Sequence, residues 1–459
     1  MSKIKKILGI TLTVLLILSA VPVVSLADDV YTSEDGYLTY TVENGEAIII
    51  RCDTSISGAY TIPDTLGGYP VTSIGYFDSF EGGNTSFYDC QYLTSITIPD
   101  SVTRIGGSVF CDCTSLASIE IPDSVTSIGD YAFYNTAYYN EDSNWENGVL
   151  YIGNCLIDAD SDIISGSYEI KDGTKIIASY AFYCCDSLES VIIPGSVASI
   201  SYEAFSGCTS LESVTIRSGV TSISDWAFYD CSSLTSITIP DSVTSIGGYA
   251  FSNTAYYNNN SNWEDGVLYI GNNLIAADNK IISSNYEIKE GTKTIAGYAF
   301  SGCTSLTSIT IPDSVVSIGS YAFTGCTSLA SVTIPAGVTS IGYFSFYACD
   351  ENLIIYGYDG TAAETYANEY GVTFISLGEY AEAEETTEIS AAEEPVSEEP
   401  SSQAVSGGES SGSLVYVLIA AIIGMLVIAA VVVIIVLVVT KNNRNNKTPQ
   451  PPKYNGTYN

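Results

Sequence analysis

The densest run of potential cation ligands in this chain is Asp158, Asp160, Asp162 and Glu169, at positions 1, 3, 5 and 12 of a calcium-loop pattern. Such a loop needs glycine at its sixth position for the sharp turn, and here that residue is Ile163, between strand-like flanks. A matching segment 118 residues downstream carries Ala276, Asp278, Lys280 and Glu287, so two ligands are lost and a cation replaces one of them. The acids therefore read as a solvated loop on an acidic surface, and no metal or cofactor is expected. Cysteine is the other candidate for chemistry, with twelve in the chain. Eight of them, Cys90, Cys113, Cys185, Cys208, Cys231, Cys303, Cys326 and Cys349, stand three residues before a leucine, or four for Cys349. That placement predicts a column of buried thiols acting as small hydrophobes and weak S–H donors to loop carbonyls. Side chains in such a column point the same way, a poor geometry for disulfides. Cys52, Cys111, Cys155 and Cys184 lie off the column, and no paired CxxC spacing supports a zinc site.

Composition removes further classes. The chain has no histidine, so Ser-His-Asp and Cys-His catalysis and the commonest zinc ligand are excluded. Fifteen Lys and Arg face 52 Asp and Glu, a formal charge of −37, and all of the acids lie between Asp28 and Glu409. Only eight bases share that stretch, so its own charge is 8 − 52 = −44. Such a surface repels phosphate backbones and excludes nucleic acid as a partner. A carboxylate-pair glycosidase finds no support either, because strand-end acids such as Glu120 have no counterpart opposite them. No catalytic residues are assigned, and the chain is expected not to be an enzyme.

The elements that would position any site come from an internal repeat. The segment beginning LTSITIPDSVTRIG at Leu93 restarts at Leu116, Leu188, Leu211, Leu234, Leu306 and Leu329, with neighbours inside each run 23 residues apart. Alternating Ile96, Thr97 and Ile98 give a half-buried strand, Pro99 stops it, Val102 and Ile105 re-enter the core, and Gly106 marks the next bend. Pairs such as Ala132/Phe133, Ala204/Phe205, Ala250/Phe251 and Ala322/Phe323 plug the far side. One coil cannot bury its own apolar face, so stacked coils must share a continuous core. The outcome is a mostly β solenoid with short helical turns and a stacked parallel sheet.

A longer period is superimposed on the first. Residues 116–187 match residues 234–305 without a gap, and the middle of each block departs from the standard coil. VLYIGNCLI from Val149 and VLYIGNNLI from Val267 each read as a hairpin turning on Gly-Asn. Tyr138, Tyr139 and Trp145 precede the first, and Tyr256, Tyr257 and Trp263 the second, amid Asn and Ser. Aromatic rings among amides suit a contact surface for protein or sugar. Rings that merely cover the edge where a coil is interrupted would look the same in sequence.

The pattern LxSIxIPxSVxSIGxYAFxxCxS resembles the leucine-rich repeat of BspA-like, treponemal-type surface proteins. TIPDTLGGYPVTSIG from Thr61 is similar to that family's opening repeat, and YGYDGTAAETYANEYGVTF from Tyr356 to its closing unit. The resemblance implies a leucine-rich-repeat solenoid and a role in cell-surface binding and adhesion, with no catalytic motif to transfer. The organisation read from the chain is a signal peptide over 1–27, an N-terminal cap and first coils over 28–92, and repeats over 93–352. A capping unit follows over 353–375, with a helix-compatible stretch from Ala363 to Tyr370. An acidic stalk over 376–413 has ten Glu and no base, too few large aliphatics to offset chain entropy, and reads as disordered. An apolar run over 414–440 is long enough for a transmembrane helix, and Lys441, Arg444 and Lys447 place the 441–459 tail in the cytoplasm. The expectation is a single-pass type I membrane protein, on a Gram-positive surface, binding an extracellular protein or polysaccharide. The alternative is a passive spacer or coat without a specific ligand.

Overall fold

The computed structural model describes residues 30–75 and 86–380. The expected signal peptide, most of the stalk, the apolar run and the tail lie outside those residues. Among the described residues no helix is long and apolar enough to cross a membrane.

Each coil is a strand, a proline turn, a two-residue strand and a corner that returns to the next leucine. Period-2 patterning gives the longer strands one buried and one exposed face, as in Leu188–Ile193 and Ser213–Ile216. These pair in parallel with like on like, Ser190 beside Ser213 beside Ser236 and Val191 beside Val214 beside Ile237. The short strands stack in the same manner, Ile177, Ile200, Ile223 and Ile246 in line. Like pairing at a spacing of 23 residues follows from the sequence period, because only that register places every isoleucine on the core side. The proline turns close through bonds such as Val125 N–H to the Pro122 carbonyl at 3.1 Å.

Between the two sheets runs a column of fully buried phenylalanines. Phe182, Phe205, Phe228 and Phe251 stack at centroid spacings of 4.8, 5.2 and 5.5 Å with rings within 10° of parallel. Beside it lies the cysteine column. Cys113, Cys208, Cys231, Cys326 and Cys349 each send Sγ–H to the carbonyl of the phenylalanine 26 residues earlier at 3.0–3.2 Å. All twelve cysteines are free thiols, and among them only Cys184 is exposed. Burial pushes the Cys155 thiol up to about 12 and Cys303 to about 11. These groups are inert at neutral pH.

The duplicated blocks interrupt this regularity. Val149–Ile152 and Cys155–Ala159 form an antiparallel hairpin, with Gly153 at φ 58° in its turn. Its second strand then pairs in parallel with Ile176–Ile177, taking the place of a preceding coil. Val267–Ile270, Asn273–Ala277 and Thr294–Ile295 repeat the arrangement. The longer strands consequently fall into separate sheets, one ending at Ser118–Glu120, one running from Gly166–Glu169 to Ser236–Thr238, and one beginning at Asn285–Glu287.

Both ends of the described solenoid are covered. The hairpin of Leu38–Glu43 with Glu46–Cys52 turns on Asn44 and Gly45, both at positive φ, and leads into the first parallel pairing. At the other end the helix Ala362–Tyr370 seats the Tyr366 ring on Phe346 at 5.6 Å, and the Tyr366 hydroxyl accepts the Phe346 N–H at 3.0 Å. The last strand, Thr373–Glu379, pairs in parallel with Ile354–Asp359. The capping unit therefore runs past the sequence boundary at 375, because backbone pairing continues after the apolar alternation has stopped.

Candidate functional site

The corner before each buried Ala-Phe pair, and before Ser345-Phe346, has left-handed backbone at a residue that is not glycine, Glu203 at φ 50° among them. Tyr131, Tyr180, Trp226, Tyr249, Tyr298, Tyr321 and Phe344 all lie at φ between 52° and 62°. Bulky side chains rarely adopt this conformation, which costs on the order of 1 kcal/mol at each position. Inter-coil bonds hold it in place: Trp226 N–H donates to the Gly248 carbonyl at 3.0 Å and Phe228 N–H to the Ala250 carbonyl at 2.8 Å. Close approach of successive corners explains the glycines beside it. A Cβ on Gly319 would sit 2.3 Å from the Gly297 nitrogen.

These corners project a second aromatic column onto the surface. Tyr131, Tyr180, Tyr202, Trp226, Tyr249, Tyr298, Tyr321 and Tyr343 follow one another at centroid spacings of 4.9–6.3 Å. Tyr131, Tyr249 and Tyr343 are exposed. The column crosses both hairpin insertions because the corners stay joined there, Ser179 N–H to the Ile128 carbonyl at 3.0 Å and Gly297 N–H to the Ile246 carbonyl at 2.9 Å. Sequence reasoning missed it. The signal was the tyrosine of the YAF triplet, repeated at Tyr131, Tyr180, Tyr249, Tyr298 and Tyr321.

The six aromatic residues singled out in the blocks come together as two trios beside this edge. In the first, Trp145 meets Tyr139 edge to face at 5.1 Å and its indole N–H donates to the Tyr139 carbonyl at 2.7 Å. The Tyr138 hydroxyl donates to the Tyr151 carbonyl at 3.0 Å, and that of Tyr139 to Asp158 Oδ2 at 2.7 Å. In the second, Trp263 meets Tyr257 at 5.2 Å and donates to its carbonyl at 2.7 Å, while Tyr256 bonds the Tyr269 carbonyl at 3.1 Å. All six are half-buried and packed against the core, so they close the interrupted coil and present only part of each ring.

The acidic loop does not converge on a common centre. Asp158 faces Tyr139, Asp160 accepts the Asp162 N–H at 2.9 Å, and Glu169 pairs with Arg217 at 2.6 Å. Among the described residues no group of three potential ligands is placed to hold a metal ion. Burial raises the Asp158 carboxyl to about 6, opposed by the hydrogen bond from Tyr139. Next to the second trio the surface opens into a cleft of about 1000 Å³ bounded by Tyr249, Tyr257, Trp263, Lys280 and Tyr298.

Comparison with known proteins agrees with the repeat geometry. Solved structures similar to this chain include a leucine-rich cell surface protein from Faecalibacterium prausnitzii, 28% identical, covering 78% of this chain and 97% of that one at a TM-score of 0.28. A leucine-rich repeat protein from Bacteroides ovatus is 24% identical over 74% of this chain and 98% of its own, at a TM-score of 0.23. The leucine-rich repeat protein of Treponema pallidum is 24% identical over 46% of this chain and 92% of its own, at a TM-score of 0.26. No curated protein matches. The family assignment rests on the repeats themselves. The model of the BspA type leucine-rich repeat region matches in six copies over residues 81–165, 175–286 and 278–357, and the chain belongs to that family.

Proposed function

We propose that this protein is an adhesive or ligand-binding rod on the outside of the cell, held by the apolar run over 414–440 as a type I single-pass anchor and spaced from the membrane by the acidic stretch. The observation that carries the reading is the aromatic edge. Eight rings stand in line, three of them exposed, and this continuous aromatic edge supports a contact face. Membership of the BspA type leucine-rich repeat family supports the location. The Ser and Thr of the longer strands repeat at every coil and give little basis for discrimination, so contact concentrates on the edge and on the trios Tyr138, Tyr139, Trp145 and Tyr256, Tyr257, Trp263. The ligand is an extracellular protein or polysaccharide, and no catalytic role is assigned.

The test is attachment of cells displaying the full chain to surfaces coated with gelatin or mannan. Replacing Tyr131, Tyr249 and Tyr343 by Ser, and separately the six trio aromatics by Ser, should reduce attachment while surface display is unchanged. Full attachment by both sets would leave the passive spacer as the better reading.

A further inference from the structure

The duplicated blocks share a backbone but are filled differently. Around the space beside each trio the first block has the larger side chain at Tyr134 against Ser252, Asp158 against Ala276, Ser179 against Gly297, Tyr183 against Ser301 and Cys184 against Gly302. In the first block the Tyr134 ring packs on Tyr139 at 5.2 Å and Asp158 takes the Tyr139 hydroxyl. A space of about 20 Å³ remains, room for about one water. In the second block the space left by Ser252, Ala276, Ser301 and Gly302 belongs to the open cleft of about 1000 Å³. That is at the upper end of small-molecule sites.

Four aromatic rings stand in a lining that is otherwise mostly small or polar, and they are held in place. Trp263 is locked edge to face on Tyr257, and Tyr249 and Tyr298 lie together at 4.9 Å. The polar groups are different in kind. Among the described residues the side chains of Asn258, Asn279 and Lys280 make no hydrogen bond or ion pair within the chain, so their donors and acceptors are available to a ligand. In the first block the place of Lys280 is held by Asp162.

We propose that this second cleft, and not its duplicate, is a binding site for a neutral oligosaccharide. The C–H face of a pyranose lies against the electron-rich face of an aromatic wall, and its hydroxyls exchange hydrogen bonds with Asn258, Asn279 and Lys280. A polyanionic glycan is disfavoured by the −44 charge of the surrounding stretch, since Lys280 is its one base at the lip and Asp278 stands beside it. A protein partner is a poorer match, because a concave pocket with unpaired amides suits a polyol better than a broad interface of roughly 1,200 Å² or more. The proposal rests on the reading of the chain as a binding rod and names the ligand class and the block that takes it.

The test is a tryptophan-fluorescence titration of the purified full chain with mannohexaose, cellohexaose and chitohexaose, with heparin and gelatin as comparison probes. At least one neutral hexasaccharide should give a saturable change. Ser252→Tyr with Ala276→Asp installs the first block's own filling, which the same backbone already accommodates, and should weaken binding by about tenfold or more. Ser301→Tyr is the second filling variant should that pair fail to fold. Tyr134→Ser with Asp158→Ala should open space in the first block without adding a second site, because Ser161 and Asp162 stand where the second block has Asn279 and Lys280. Equal binding by the filled variant, or no response to any of the three hexasaccharides, would overturn the proposal. Binding of gelatin without any hexasaccharide would overturn it too, while leaving the binding rod standing.

Discussion

Replacing Phe205 by alanine tests the stacked core where it is most regular. The ring is fully buried and lies between Phe182 at 4.8 Å and Phe228 at 5.2 Å, nearly parallel to both. Removing a buried phenylalanine costs about 3–5 kcal/mol through lost transfer energy and the cavity left behind. Phe133 is as deeply buried but stands where the column is interrupted, with one stacked partner, Phe110 at 5.5 Å. Since each stacked pair contributes about 0.5–1.5 kcal/mol beyond its area, Phe205→Ala should exceed Phe133→Ala by about that amount. In a solenoid each coil contacts its neighbours, so the damage should be local. Hydrogen exchange followed by mass spectrometry reads both quantities, and protection should fall over residues 182–228 while the terminal hairpin and the C-terminal helix keep theirs. An equal loss for the two variants, or uniform deprotection along the chain, would refute the reasoning.

Other consequences follow from the same geometry. Iodoacetamide should label Cys184 first in the native chain and reach Cys113, Cys208, Cys231 and Cys326 only after denaturation; rapid native labelling of those four would contradict their burial. Asp158 has its carboxyl raised from 3.8 to about 6, so its contribution to stability is fully present below about pH 4 and is lost as pH rises through 6. By pH 7 the cost is about 3 kcal/mol, and Asp158→Asn, which keeps an acceptor for Tyr139, should stabilise the first block above pH 6 and flatten its pH profile. A local exchange profile still rising and falling with pH in that variant would assign the titration elsewhere. Gly319→Ala puts a Cβ 2.3 Å from the Gly297 backbone nitrogen, so urea unfolding should show a loss of about 1–3 kcal/mol, and an unchanged midpoint would deny the close approach of the corners.

Much of this architecture can be read from the amino-acid sequence because each coil repeats the same physical demands. The alternation at Ile96, Thr97 and Ile98, the proline stop, the Ala-Phe plug and the cysteine before each leucine all recur at one spacing, and each occupies its expected place. Gly153 and Asn154 announce the hairpin for the same reason. The aromatic edge was less visible because the left-handed corner at Tyr131 or Trp226 leaves no mark in hydrophobic periodicity; nothing in residue type shows that a tyrosine there leans outward on the next coil. The trios were found as clusters, yet whether their polar ends serve a ligand or the fold depends on acceptors such as the Tyr151 and Tyr139 carbonyls, which only packing reveals. The contrast of Tyr134 with Ser252 was present as a pair of letters. Its meaning required knowing that both positions face the same space.

The most direct test of the binding account is a hydrogen-exchange footprint of the full chain with and without the hexasaccharide that titrates best. The account predicts protection confined to residues 249–263 and 276–302, with the duplicate over 131–145 and 158–184 unchanged. Protection spread evenly along the Ser/Thr strands, or equal in the two blocks, would contradict it.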